Sequence, residues 1–323
     1  MDIYVGDLIT DCRSDTQNGD DIPTSSTSVG IPDRDFLRYL NFAQQRLEGK
    51  INKKYPFAFM THSIISVIAG QAKYTIPDNV SLNTKVIVVE FSRTGLEKDY
   101  RRLTPGNRYA RTYQAAATPV SYHRSDGAIE LEPPPSSSGG TIRVFFIRAL
   151  DKMELRRGVV DSVTINGSNQ VTALSLDPAS DDETELVKIS TQYVCINDKY
   201  GNVKAYNIPV SGYNTANGNF TLVGTPQLAV GESIANGDYV TVGRYTTTHS
   251  KLRFECERYL VEYCNRRVKK RDSSQDVPDI DVELKDIEKD IVENYQVPDL
   301  DVKPIPIIDR DIMLGGSSSG WRW

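Results

Sequence analysis

The chain has 323 residues, 39% hydrophobic and 25% charged, and Lys+Arg 38 against Asp+Glu 43 leave a net charge of −5. That length exceeds what one ordinary core needs, so two compact bodies plus extensions are expected. No apolar run approaches the roughly 20 residues that span a bilayer, and Met1 to Asp7 lacks the basic, apolar, small-residue order of a signal peptide, which argues against membrane insertion and classical secretion.

Val5, Leu8, Ile9 and Cys12 recur at helical spacing and predict a short first helix, followed by a polar loop from Ser14 to Gly30. Ile31-Pro32-Asp33 starts a second helix, whose apolar stripe is Phe36, Leu40, Ala43, Leu47 and Ile51 until Tyr55-Pro56 stops it. Its other face carries Arg34, Arg38, Arg46, Lys50 and Lys53. From Met60 to Leu150 the pattern is that of strands: Ile64 to Ile68, Lys73 to Ile76, Lys85 to Phe91, Val120 to His123, Ala128 to Leu131 and Thr141 to Leu150. Ala69-Gly70-Gln71, Ser125-Asp126-Gly127 and Ser138-Gly139-Gly140 supply turns, and a short helix is expected over Thr104 to Gln114.

Between Arg156 and Tyr245 helix formers become scarce. Asn166-Gly167, Asn217-Gly218 and Asn236-Gly237 mark turns between alternating runs, which predicts an inserted all-β domain of some six strands, a small barrel or sandwich. Helical spacing returns with Leu252, Cys256, Tyr259 and Tyr263, and again after Pro278 with Ile280, Leu284, Ile287 and Ile291. The expected class is therefore α+β. A discontinuous body of three to four helices with a β-hairpin and sheet region (1–155 and 246–295) carries an all-β insert (156–245) and an extended C-terminal tail (296–323).

Little in this sequence points to chemistry. It has no phosphate-binding glycine loop and no nucleophile elbow, so no catalytic residue, cofactor or metal is expected. His62, His123 and His249 lie in different sections, without a second ligand at helical spacing, and read as polar strand or surface residues. Cys12, Cys195, Cys256 and Cys264 are too few for a disulfide scaffold and fit a reducing compartment. The acids Asp181, Asp182, Glu183 and Glu185 lack the alternation and central Gly of a calcium loop. No segment is basic enough for a duplex-binding footprint.

The one dense basic cluster, Arg266, Arg267, Lys269, Lys270 and Arg271, closes a helix where cations meet the negative dipole end. The next helix carries seven acids against Lys285 and Lys289, and its Asp281, Glu283, Asp286 and Glu288 are candidates to answer a neighbour's basic cluster across a subunit boundary. In the tail, Ile305, Ile307, Ile308 and Ile312 are apolar without a core to enter, and both tryptophans of the chain sit at its end in Trp321-Arg322-Trp323. Such residues are the favoured anchors of interfaces, which marks the tail as a partner-docking element.

The order of these elements, with "RDFLRYLNFAQQRLEGKI" as a long helix, "SVIAGQAKYTIPDNV" as a hairpin, "YRRLTP" beyond it and "FECERYLVEYCNRR" after the β region, resembles the head-to-tail adaptor (connector) proteins of tailed bacteriophages. The resemblance rests on Gly70, Gln71, Tyr74, Ile76, Pro77 and Asp78, with Leu40, Asn41 and Gln44 to Arg46 in the helix before them. It covers Met1 to Leu150 and Lys251 to Asn294, leaving Arg156 to Tyr245 outside the family's usual pattern. It implies a structural virion protein, assembled in the host cytoplasm: a ring homo-oligomer, usually dodecameric, docked on the portal protein. Downstream tail, ring or fibre proteins would follow it, and genomic DNA would pass through the lumen without sequence-specific binding. A tail of some 28 residues reaches up to about 90 Å when extended, enough to cross onto a neighbour. Two rivals have nominees: a virion-associated peptidoglycan hydrolase using Glu130, Glu132 or Asp126, and a carbohydrate-binding or adhesin-like insert using Tyr193, Tyr200, Tyr206 and Tyr213.

Overall fold

The computed structural model describes residues 3–16, 31–55, 58–76, 88–106, 115–125, 128–177, 184–188, 192–226, 228, 233–272 and 278–295. These fold around three apolar cores. In the first, strand β1 (Ile3–Tyr4) runs into helix α1 (Val5–Thr16), which precedes helix α2 (Asp33–Lys54). Phe36, Leu40, Ala43, Leu47 and Ile51 are buried, as their spacing predicts, and so are Val5, Leu8, Ile9 and Cys12 of α1. Asp33 and Asp35 occupy the first turn of α2 and Lys53 and Lys54 the last, charges that oppose the helix dipole at each end.

Eight strands follow: β2 (Met60–Ser66), β3 (Lys73–Thr75), β4 (Val88–Ser92), β5 (Arg101–Arg102), β6 (Thr104–Pro105), β7 (Ser121–Ser125), β8 (Ala128–Glu132) and β9 (Thr141–Ile147). They form two four-stranded sheets, ordered β2-β9-β4-β5 and β3-β8-β7-β6, which share the second core. Strand β9 shows why: Ile142, Val144 and Phe146 alternate inward while Arg143 and Phe145 alternate outward. Two expectations are corrected here. The phrase around Gly70 is not a hairpin, because β2 pairs with β9 and β3 with β8, so the turn carries the chain from one sheet to the other. Thr104 and Pro105 do not begin a helix. Leu103 is buried between the sheets and the Gly106 N–H bonds the Tyr122 carbonyl at 2.8 Å, which pins the segment as a strand parallel to β7. The rest of that predicted helix, 107–114, lies outside the described residues.

Strand β10 (Lys152–Met153) leads into the third core. There β11 (Gly158–Ile165), β12 (Val171–Leu176), β13 (Gln192–Asn197), β14 (Val203–Asn214), β15 (Asn219–Leu222) and β16 (Tyr239–Val242) close a six-stranded barrel in the order β11-β12-β15-β14-β13-β16, with the single-turn α3 (Thr184–Val187) before β13. Closure leaves no unpaired sheet edge. The chain returns through β17 (Thr246–Thr247), parallel to β10, and β18 (His249–Ser250), antiparallel to β1. The last described elements are helices α4 (Glu257–Asp272) and α5 (Pro278–Asn294), which join α1 and α2 in the first core. None of the described helices is long and apolar enough to cross a membrane.

Candidate functional site

Helix α2 holds the helical body to the stem of the barrel through two side-chain amides. Asn41 Nδ2 donates to the Met153 carbonyl at 2.8 Å while its Oδ1 accepts from the Met153 N–H at 2.9 Å, so the amide copies what an adjacent strand would offer. Gln44 Nε2 donates to the Asp151 carbonyl at 2.8 Å and its Oε1 accepts from Ser250 Oγ at 2.9 Å. Asp151 is buried and takes Arg148 Nη2 on both oxygens, at 2.6 and 2.7 Å, and the Tyr206 hydroxyl at 2.9 Å. Burial, then the Asp151 charge, holds the Tyr206 phenol well above its usual range. Arg148, Asp151 and Tyr206 thus tie the end of the sheets to β14 of the barrel. Of these residues the sequence singles out Tyr206 only as a possible sugar-stacking ring and Asn41 and Gln44 only as part of the family resemblance; Arg148 and Asp151 it does not single out at all. A signal was nevertheless present, since Gln44 and Glu48 are polar positions set among the buried residues of one apolar stripe.

Helix α5 is fastened by charge. Glu288, 8% exposed, receives Arg46 at 2.8 Å, Lys50 at 3.0 Å and the Tyr259 hydroxyl at 3.4 Å. Arg266 pairs with Asp281, one of the two contacts at 2.9 Å, and Arg258 with Glu283 at 2.6 Å. The Arg266 guanidinium holds the Asp281 carboxyl below its usual range. Tyr295 then packs against Tyr55 and Phe59, with Arg253 over its ring at 5.2 Å.

Arg266, Asp281, Glu283 and Glu288, singled out in the sequence for a subunit boundary, therefore have partners within the chain. Arg267 donates to the Tyr263 hydroxyl at 2.7 Å, and Lys269, Lys270 and Asp286 are exposed. The side chain of Arg271 lies outside the described residues, as do Ile305, Ile307, Ile308, Ile312, Trp321, Arg322 and Trp323.

All three histidines lie on strands, but His123 and His249 are buried rather than on the surface. Glu132 is bound to His123, Glu130 is half-buried on the same strand, and Asp126 lies outside the described residues. Of the four tyrosines, Tyr193 lies under Arg244 at 4.0 Å, Tyr213 packs on Phe220 at 5.0 Å and Tyr206 is engaged as above, which leaves Tyr200 exposed beside Lys199. All four cysteines are free and buried. The hydrogen bond with Cys264, with burial, holds the Cys12 thiol far above its usual range, and burial pushes Cys256 up to about 12. Among the described residues no group of three or more His, Cys, Asp or Glu is placed to hold a metal ion.

A protein-family model described as SU10 adaptor protein matches residues 4–194, more than half of the chain. No curated protein matches it. The matched span takes in α1, α2, both sheets and, of the barrel, β11, β12 and the first half of β13. The expectation that 156–245 stands outside the family pattern is corrected accordingly, since the match runs through β11 and β12 into β13 and stops before α4 and α5.

Proposed function

Because the chain belongs to the SU10 adaptor protein family, and is on that ground a phage structural adaptor associated with the virion, we propose that it forms a dodecameric ring joining the portal protein to the tail. The family match through α1, α2 and both sheets carries this reading. The lumen would continue the DNA channel without reading sequence, and the barrel would present a platform for downstream tail or fibre proteins. The role is structural, not enzymatic. Helix α5, held by Glu288 and Asp281 and followed at once by the packed Tyr295, would set a fixed departure point for the tail. Ile305 to Ile312 and Trp321-Arg322-Trp323 then dock on the portal. Lys269, Lys270, Arg271 and Asp286 lie near the boundary between copies. Electron microscopy of the purified chain mixed with portal is expected to show rings seated on the portal vertex. A chain ending at Asn294 is expected to keep its helical circular dichroism yet lose portal binding by at least tenfold. A chain that stays single and ignores the portal would refute the reading, and unchanged affinity after truncation would refute the docking role of the tail.

A further inference from the structure

Helix α4 is packed against α1, α2 and α5, and the side of it turned from α2 is an open concave face. Three adjoining hollows compose it: the first and second share Arg258, the second and third Asp290, and the third and first Glu255. No residue of α2 lines any of them. The lining is strongly acidic. Helix α1 supplies Asp11 and Asp15, α4 supplies Glu257 and Glu262, and α5 supplies Asp286 and Asp290, with Phe254 and Val282 exposed among them by 60% and 58%. The crowding shows in the carboxyls. Burial together with Asp7 and Asp15 raises Asp11 above its ordinary range, and burial with Glu283 and Asp15 does the same for Glu262, so charges on α1, α4 and α5 act on one another.

The opposite side of the helical body has the opposite character. Arg34, Arg38, Phe42, Gln45 and Lys53 are exposed at spacings of four, four, three and eight, one stripe diametrically across α2 from its buried residues. Phe42 is 42% exposed, with the Arg38 guanidinium over its ring at 5.5 Å, a pairing of Arg and aromatic typical of interface anchors. Two unlike, complementary surfaces on opposite sides of one subunit are what a head-to-tail contact requires, whereas a two-fold dimer uses one surface twice. We propose that the basic stripe of α2 in one copy seats in the acidic face formed by α1, α4 and α5 of the next copy, and that repetition of this contact closes the ring.

This inference rests on the ring reading above and adds the surfaces that make it. The test uses two variants of the full chain at exposed positions, R34E/R38E and D11K/D286K/D290K, each checked for native circular dichroism. Assembly is read by light scattering on the protein alone and by microscopy on portal. Wild type is expected to assemble, and more weakly as salt rises. Each variant alone is expected to lose assembly by at least tenfold, because like charges then meet. An equimolar mixture is expected to recover rings, since an acidic α2 meets a basic face and a basic α2 an acidic one. Rings that persist in both variants, or a mixture that fails to assemble, would overturn this inference while the ring reading stands. In the first of those cases the acidic face lines the channel or the outer wall. A wild type that never associates, alone or on portal, sinks both.

Discussion

Two buried glutamates of the helical body meet burial in different ways. Glu288 is neutralised by Arg46 and Lys50 and hydrogen-bonded by Tyr259, whereas Glu48, likewise 8% exposed, has the Leu150 N–H as its hydrogen-bond donor. Burial pushes the Glu48 carboxyl up from 4.5 to about 7. A carboxyl whose folded pKa lies above its unfolded one binds its proton more tightly in the native state. Stability is therefore undiminished below about pH 4.5, falls as pH rises toward 7, and carries the full penalty above that, of order 2 kcal/mol. Glu48→Gln keeps the shape and the acceptor without the charge. Compared with wild type by urea unfolding, it is expected to gain about 2 kcal/mol at pH 8 and close to nothing at pH 4.5. An equal difference at both pH values would show that Glu48 does not titrate across that window. The residue was visible in the sequence as a charged break in an apolar stripe. Its partner, more than a hundred positions away, was not.

At the scale of elements, the Gly70-Gln71-x-x-Tyr74 phrase has a physical meaning that its resemblance alone did not supply. Gly70 adopts φ +74, in the left-handed region, and its N–H bonds the Pro135 carbonyl at 2.8 Å. Gln71 Nε2 donates to the Lys73 carbonyl at 2.8 Å. The buried Tyr74 hydroxyl accepts from the Ile68 N–H and donates to the Ile68 carbonyl, both at 3.2 Å, and so clamps the corner between the two sheets. Tyr74→Phe removes both bonds and is expected to cost about 1–2 kcal/mol. Gly70→Ala meets no atom within 4 Å and is expected to cost about 1 kcal/mol, from backbone strain alone. Denaturant midpoints check both, and losses below about 0.3 kcal/mol in both would mean that the corner is held by something else. Periodicity made α1, α2, β9 and the strands of the barrel legible, because helix and strand spacing are local properties. Which sheet a strand joins is not local. The partner of β2 begins some 75 residues later, at Thr141, and turn chemistry alone suggested the nearer β3.

At the scale of the whole molecule, the all-β segment announces itself through its composition, which suggests an independent body, but in the structure it is bonded to the connecting segments around Asp151 and Thr246 to Lys251, of which Asp151 and Ser250 in turn meet Gln44 of α2. The Gly201 carbonyl, in the loop between β13 and β14, accepts from Thr247 Oγ1 at 3.1 Å and from Lys251 Nζ. Thr241 Oγ1 meets Thr246 Oγ1 at 2.9 Å, and Tyr206 reaches Asp151. Apart from the Thr241–Thr246 pair, five residues apart, these contacts join positions about fifty residues apart through single polar atoms, which leave no trace in periodicity or charge pattern. Their consequence is mechanical. An adaptor that must present its barrel at a fixed angle gains from a stiff joint, and a barrel and body sharing buried Thr246 to Ser250 should unfold as one unit. Gly201 is where that joint is most exposed to test. Its φ is +83, and a β-carbon there would stand about 2.5 Å from the His249 side chain, which is itself buried against Tyr4. Gly201→Ala therefore adds backbone strain to a collision that the buried ring has little room to relieve, and about 2–4 kcal/mol of destabilisation is expected. Calorimetry should show one transition in the wild type and two in the variant, while hydrogen exchange should find the amides of Thr247 to Ser250 opening first. Two separate transitions already present in the wild type would mean that the barrel and the helices are coupled only by the chain between them.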